Sequence, residues 1–589
     1  MSEQANGETL MTIPQCQVGR RFSRRTVLVR GALMSAGAAL GTLLAACGGS
    51  SKSPTTQPAA TSSSGASTAT ASGGTSATAP AASLATPKTV PATPVAVATQ
   101  ATGQPGGTLN FGLLRDPIAL DPHIAYGASS ASLQGNLYDT LVSYDTSANI
   151  VPSLAKSWQI QDSGKSYVFT LQEGVTFHDG APLKAEDVVF TFDRIRDKNT
   201  GANLFSEMSN LDSYTATDDK TVTITLKQPY AVLMSVLASQ WCYVVNKAWA
   251  QAGNDFKQKE NGTGPFTLQS FEPQVKYTLA KSPTYWVKGR PYLNQIVETI
   301  IADDTARMNA FKSGQMNFVE YVPWQDMDAF GANPQDKLYI GYDTFNLVRL
   351  NPQKPPLDNK LVRQALNYAI DRKAVVDVAF GGKGQAMTAG LIPKGTFWYN
   401  DELDGHWTYD TKKATDLLQQ AGFKPSDIKL DFAVANISVH SDTAQAVAQQ
   451  LKQLGMSINI IQQDVPTLTK RRTTGEYQMM QDGLSEPWTD PDMYTTFFGT
   501  GGASYAKGVN FSDPKLDDLL AQGRQETDNN KRKAIYKQFE EQLFDDAPWI
   551  FILWRPQAEV SVASLQGYVH IPGVGLASER FMQNVWFKK

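Results

Sequence analysis

Cysteine is almost missing from this chain: three in 589 residues, at positions 16, 47 and 242. Cys16 and Cys47 fall in the N-terminal region, so Cys242 has no partner for an internal disulfide, and a thiolate metal cluster is excluded. Its setting, Gln-Trp-Cys-Tyr-Val-Val, reads as a buried structural thiol. Histidine is equally scarce, with five residues at 123, 178, 406, 440 and 570. No two have the close helical spacing of a zinc site, so no metal and no cofactor are expected. Charge of one sign is lacking too: the net charge is -3, which asks for neither nucleic acid nor an anionic membrane surface. There is no G-x-S-x-G elbow, no P-loop and no G-x-G-x-x-G after a strand. Gly381-Gly382-Lys383-Gly384 lacks the loop length and the following Ser or Thr of a phosphate cradle. These absences favour binding over catalysis.

What is present begins with an export signal. Ser23-Arg24-Arg25-Thr26-Val27-Leu28 precedes a charge-free apolar stretch from Gly31 to Ala46, and Leu44-Ala45-Ala46 leads into Cys47. A basic start, a short apolar segment and small residues before a cut site make a secretory signal. The apolar stretch falls short of the roughly 20 residues that span a bilayer. The arginine pair resembles a twin-arginine signal with Val27 in the usual Phe place, and Leu-Ala-Ala-Cys resembles a lipoprotein box. Residues 1–46 are therefore expected to be removed and Cys47 lipidated, which tethers the protein to the outer face of a membrane.

Charges then almost vanish. From Gly48 to about Gln104 the chain is nearly all Ser, Thr, Ala, Pro and Gly, with only Lys52 and Lys88 charged. Such a segment buries too little apolar surface to offset its ordering entropy. It is expected to act as a flexible tether reaching roughly 40 Å. Beyond it remain roughly 485 residues, enough for two or three domains. Hydrophobic residues at 41% supply their cores.

The first part of this body is β-rich. Strands are predicted at Thr108–Phe111, Tyr167–Leu171, Thr221–Leu226 and Lys276–Leu279, with Val175–Phe177 continuing after a turn at Gly174. The second part alternates. Asp358 can cap a helix whose apolar face runs from Leu361 to Ile370, and Asp410 can cap another that stops at Gly422. Lys429–Val434, a helix from about Ser441 to Leu454, and Ser457–Ile461 form a βαβ unit. Helices at Pro514–Arg524 and Asn530–Asp545 and an apolar strand at Trp549–Trp554 follow. No solenoid repeat is present.

Several stretches, in order, resemble the family 5 extracellular solute-binding proteins of ABC importers, which include dipeptide and oligopeptide receptors. They are Leu120-Asp121-Pro122-His123, Tyr138–Val142, Pro152–Trp158, Gly174–Val188, Gly264-Pro265-Phe266, Leu361–Leu366 and Ala369-Ile370-Asp371-Arg372. The resemblance implies a two-lobe α/β fold of the periplasmic-binding-protein type, hinged, with the ligand cleft between lobes. Lobe I would comprise residues 106–139, 262–345 and 555–589, a β-rich subdomain would be inserted at 140–261, and lobe II would span 346–554. It also implies a monomer that delivers a small solute, a peptide by family class, to separate permease and ATPase chains.

Most of these residues also have a plain structural role. His178 is expected to be neither catalytic nor a ligand to metal, Trp158 to be core, and Arg363 to lie on a solvated or salt-bridged helix face. For the ligand, the family's peptide receptors carry a segment resembling Trp-x-x-Asp-Tyr-x-Asp-Pro-Asp, in which one aspartate grips the peptide's ammonium. Here it reads Leu484-Ser485-Glu486-Pro487-Trp488-Thr489-Asp490-Pro491-Asp492. Pro487 occupies the gripping position and Leu484 that of the leading Trp. Either Glu486 takes over, or the ligand lacks a free amine, since a buried ammonium without a carboxylate is costly. Trp488 and Trp398 are candidate stacking surfaces, and Asp490, Tyr126, Gly127 and Asn351 are further ligand candidates. An oligosaccharide, an opine or another non-peptide solute is the alternative ligand, and a secreted hydrolase the alternative class.

Overall fold

The computed structural model describes residues 103–589 except 118, 126, 147, 395, 486–489, 501–510 and 572–581. The export signal, the tether and Cys47 lie outside the described residues. One mixed sheet organises the molecule. In spatial order its main path runs Ser457–Gln463, Lys429–Ala435, Met479–Ser485, Asp336–Leu350, Trp549–Val562, Phe318–Val319, Thr108–Leu113, Gln295–Ile300, Lys276–Lys281 and Phe266–Glu272. The first three strands belong to one lobe and the last five to the other. The two long antiparallel strands, Asp336–Leu350 and Trp549–Val562, run through both.

The crossing point is marked by a register break. Gly341 pairs with Gln557 and Thr344 with Arg555, so Tyr342 and Asp343 stand opposite the single residue Pro556. Proline has no N–H to give the ladder, and an extra residue bends and twists a strand pair. Pairing is thus weakest where the lobes meet. Gly341 has no room for a side chain, since a Cβ there would stand 1.8 Å from Nε2 of His570.

A separate four-stranded antiparallel sheet of Ala155–Gln161, Ser166–Leu171, Thr221–Leu226 and Leu211–Ala216 makes the β-rich subdomain. Helix Ala185–Arg196 covers it with Val188, Phe192 and Ile195. Acids stand at the positive start of this helix, where Asp187 accepts the Lys184 N–H at 2.9 Å. Val175–Phe177 does not form the predicted strand. It makes one isolated bridge, Thr176 to Pro182, and its backbone closes a turn with Phe177 N–H on Ala181 and Leu183 N–H on Val175. The predicted cap at Asp358 moves one residue on, where Asn359 accepts the Leu361 N–H and opens helix Lys360–Tyr368. Asp410 caps helix Thr411–Gln420 as expected. In the βαβ unit, Lys429–Ala435 and Ser457–Gln463 pair in parallel across helix Ser438–Gln453. The terminal strand is longer than its apolar run implied, reaching Val562. Cys242 is buried, and burial pushes its thiol up to about 12.

His178 joins the turn after Gly174 to the chain's return into the first lobe. Nδ1 lies 2.7 Å from a Glu260 oxygen and Nε2 3.0 Å from the Gly264 carbonyl. Two acceptors on one ring require the imidazolium. Burial opposes that charge, but Glu260 outweighs it and raises the pKa above the ordinary 6.5. The stabilisation is therefore complete below pH ~6.5 and is lost as pH rises through the raised native value. His178→Gln is expected to lower the urea midpoint markedly at pH 6 and little at pH 9.5. An equal loss at both would remove the charge from this account.

Candidate functional site

Between the lobes lies a cavity of about 1010 Å³. On one side its wall is built by Leu114–Asp116 after the first strand, by Gly127 and Ser129 at the start of helix Ala128–Leu137, by Trp241 and by Tyr321–Met327. On the other it is built by Ala435, Ile437 and the first turn of helix Ser438–Gln453 with His440, by Val465, Leu468, Thr469 and Arg472, and by Met480 and Asp482–Ser485. Thr344, Arg555 and Pro556 come from the crossing strands. Both lobes and the hinge thus contribute to one space.

The first wall is held in an uncommon conformation. Tyr321 has φ +53°, which costs a non-glycine residue of order 1 kcal/mol and persists only where neighbours impose it. Here the neighbour is Arg307, fully buried in helix Asp304–Lys312. It donates to the carbonyls of Glu320 at 3.1 Å, Tyr321 at 2.8 Å and Ile301 at 2.9 Å, and pairs with Asp304 at 2.6 Å. Glu320 accepts the Leu114 N–H at 2.8 Å and the Ser129 hydroxyl at 3.0 Å. Burial raises its carboxyl to about 7. Two stretches of wall are thereby tied to one side chain.

The opposite wall centres on Asp482. Burial alone would raise its pKa, but Arg472 and Arg349 outweigh that and hold it at about 2. Arg349 Nε stands at 2.7 Å and Arg472 at 3.1 Å. His440 faces this group. Burial lowers its pKa to about 4, so the ring is neutral at physiological pH, and Nδ1 is buried with no hydrogen-bond partner among the described residues. Gly483 leaves room for the ring, because a Cβ there would come 2.6 Å from its Nε2.

The charges of the cavity are unequally occupied. Asp116 accepts from Gln274 N and Tyr277 Oη at 3.0 and 3.1 Å, and Asp303 caps Ala306 N at 2.7 Å. Asp326 pairs with Lys312 at 2.8 Å. Asp442 takes only the Ser441 hydroxyl, at 3.3 Å, among the described residues.

Of the residues singled out from the sequence, Gly127 lines the cavity, with φ +90° at the helix start. Tyr126, Glu486, Pro487 and Trp488 lie outside the described residues. Asp490 is held by Arg532 through two bonds of 2.7 and 2.8 Å, and the same guanidinium lies 4.9 Å over the Trp398 ring. Neither is among the cavity's lining. Asn351 is buried away from it and donates to the carbonyls of Gly475 and Tyr477 at 3.0 and 2.8 Å. Arg363 is not on a solvated face: it is buried and donates to the carbonyls of Asp546 and Leu357. Arg115, Tyr321, Asp442, His440, Asp482 and Arg555 were not anticipated. Arg555 alone left a trace, as a cation directly after the apolar run Trp549–Trp554 and before a proline.

The model of the bacterial extracellular solute-binding proteins, family 5 (middle region), matches residues 149–506. The chain belongs to this family. Heme-binding protein A of Haemophilus influenzae is 28% identical over 514 residues, covering 80% of this chain and 92% of that protein. The periplasmic binding protein AgaA of A. tumefaciens R10, solved with agropinic acid, superposes with a TM-score of 0.76 at 28% identity, over 82% of this chain and 99% of that one. DppA of Helicobacter pylori, solved with the peptide STSA, gives 0.75 at 26% identity, over 82% and 99%. Family 5 proteins are extracytoplasmic solute-binding receptors of ABC importers, and their two-lobe α/β fold is the one described above.

Proposed function

We propose that this receptor, tethered through lipidated Cys47, captures small peptides between its lobes and presents them to separate permease and ATPase chains. The observation that carries the reading is the cavity of about 1010 Å³ lined from both lobes and the hinge. Solute contacts on both walls stabilise the closed state, which is how a hinge is driven shut. Asp442, with no cation on it among the described residues, is a carboxylate available to a peptide ammonium. Trp324, half-buried in the cavity wall, offers an aromatic surface that tolerates varied side chains.

A second reading, a non-peptide solute such as an opine, is favoured by Pro487 in the gripping position and by the likeness to the agropinic acid receptor. Titration calorimetry with a mixed pool of short peptides separates the two. Saturable binding weakened about tenfold or more by Asp442→Asn supports peptide capture; silence toward peptides with uptake of an opine supports the second reading. In the same cells Cys47→Ser is expected to move the protein from the membrane fraction to the soluble one. Retention on the membrane would remove the lipid from the proposal.

A further inference from the structure

The inserted β-rich subdomain touches both lobes, and it is held to them by unlike means. To the first lobe it is fixed by charge. Arg194 of helix Ala185–Arg196 forks onto Asp121, with Nη1 at 3.0 Å, and the Trp241 indole donates to the Ala125 carbonyl at 2.9 Å. To the opposite lobe the polar tie is slighter. Helix Pro514–Gln525 ends there with carbonyls that its own turns cannot satisfy. The Ala231 N–H of the subdomain donates to one of them, on Arg524, at 2.9 Å. The Arg524 guanidinium lies 5.7 Å over the Tyr230 ring, within reach of a cation–π contact. Asp492, fully buried, fixes that guanidinium from its own lobe at 2.6 and 3.2 Å.

The apolar interior follows the same division. The subdomain core around Phe169 and Leu237 is continuous with the core around Leu520 and Phe539 in the opposite lobe, whereas the first lobe keeps a separate core around Phe111 and Ile296. Tyr230 is buried, yet its Oη has no hydrogen-bond partner among the described residues. A buried hydroxyl left unpaired costs free energy, so this contact is weaker than the fork on Asp121. From it the chain runs through helix Leu233–Ala238 to the interlobe cavity, where Gln240 and Trp241 line the wall. Neither Tyr230 nor Arg524 is among that lining. One short element therefore has the cavity at one end and the opposite lobe at the other.

We propose that the inserted subdomain is a clamp: it travels with the first lobe and, on closure, grips the end of helix Pro514–Gln525 through Tyr230 and Ala231, which holds the lobes shut. Contacts made only in the closed state shift the equilibrium toward it. The clamp thus sets how long a captured solute stays rather than how fast it is met. That consequence rests on the receptor reading; the grip itself does not.

The test uses the intact protein. Hydrogen exchange read by mass spectrometry, with no solute added, compares the native protein with Tyr230→Leu, Tyr230→Phe and Arg524→Met. A mixed pool of short peptides and an opine then serve as probes, their association and dissociation followed by tryptophan fluorescence. The expected result is exchange about tenfold faster over Tyr230–Trp241 in Tyr230→Leu and Arg524→Met, with helix Ala185–Arg196 exchanging as in the native protein. A bound probe should leave these variants about tenfold faster, with its association rate unchanged. Tyr230→Phe keeps the ring and drops only the unpaired hydroxyl, so it should exchange no faster than the native protein. Arg524→Met also strips Asp492 of its partner; if it fails to fold, Tyr230→Leu decides alone. Unchanged exchange over Tyr230–Trp241 in Tyr230→Leu overturns the clamp, and so does faster exchange spread through helix Ala185–Arg196, which marks a merely structural contact. A probe that leaves the native protein and Tyr230→Leu at the same rate overturns it as well. If no probe binds, the receptor reading falls, and the exchange comparison still decides the grip.

Discussion

Arg372→Met is expected to destabilise the protein by about 3 kcal/mol or more, because several buried acceptors are left without donors at about 1–3 kcal/mol each. Arg372 is almost fully buried. Nε donates to the Phe551 carbonyl at 2.6 Å, and Nη1 to the carbonyls of Asn367, Ile370 and Trp407 at 3.1, 3.2 and 2.9 Å. Nη2 reaches Asn367 Oδ1 at 3.1 Å. No carboxylate is paired with it among the described residues, and burial pushes its pKa down to about 9. The side chain acts as a polar staple joining the end of helix Lys360–Tyr368, the terminal strand and the Trp407 loop. Methionine fills similar volume but leaves these acceptors without donors. Lysine should rescue little, since a single ammonium cannot reproduce the fork. Urea titration followed by tryptophan fluorescence would show the loss; a midpoint within experimental scatter of the native one would disprove the staple.

Arg307→Met is expected to act on binding as well as on stability. The guanidinium holds the Glu320 and Tyr321 carbonyls and so maintains Tyr321 at φ +53°. Without it the Tyr321 ring loses its place under Arg555. A stability loss of about 2–4 kcal/mol should accompany a fall in solute affinity of about tenfold or more. Calorimetry well below the unfolding temperature separates the effects. Unchanged affinity in a destabilised variant would show that the Tyr321 geometry does not matter to the solute.

The order of elements was legible in the sequence because local patterns determine it. Alternation marked Thr221–Leu226, and Asp410 with Gly422 bracketed their helix. Asn359 was missed because Asp and Asn side by side are equally good caps, and only the turn geometry chooses. Val175–Phe177 read as strand from composition, but no neighbouring strand offers it a ladder. The site was far less legible. Asp490 and Asp492 look available in sequence, whereas Arg532 and Arg524, some 30 to 40 residues away, occupy them. Arg555 and Arg115, nearly the whole length of the body apart, look like ordinary surface cations, yet both line the interlobe cavity. Whether a charge is already neutralised is a tertiary fact, and no local pattern carries it.

The strand Trp549–Val562 lies in the middle of the main sheet, between Asp336–Leu350 and Phe318–Val319. A late-made segment is therefore an interior stave, and neither half of the sheet is whole until it slots in. Pairings such as Val319 with Val560 span well over 200 residues, which slows assembly. A ribosome stalling before position 549 would release two unfinished halves with raw edges facing each other, prone to stick to neighbours.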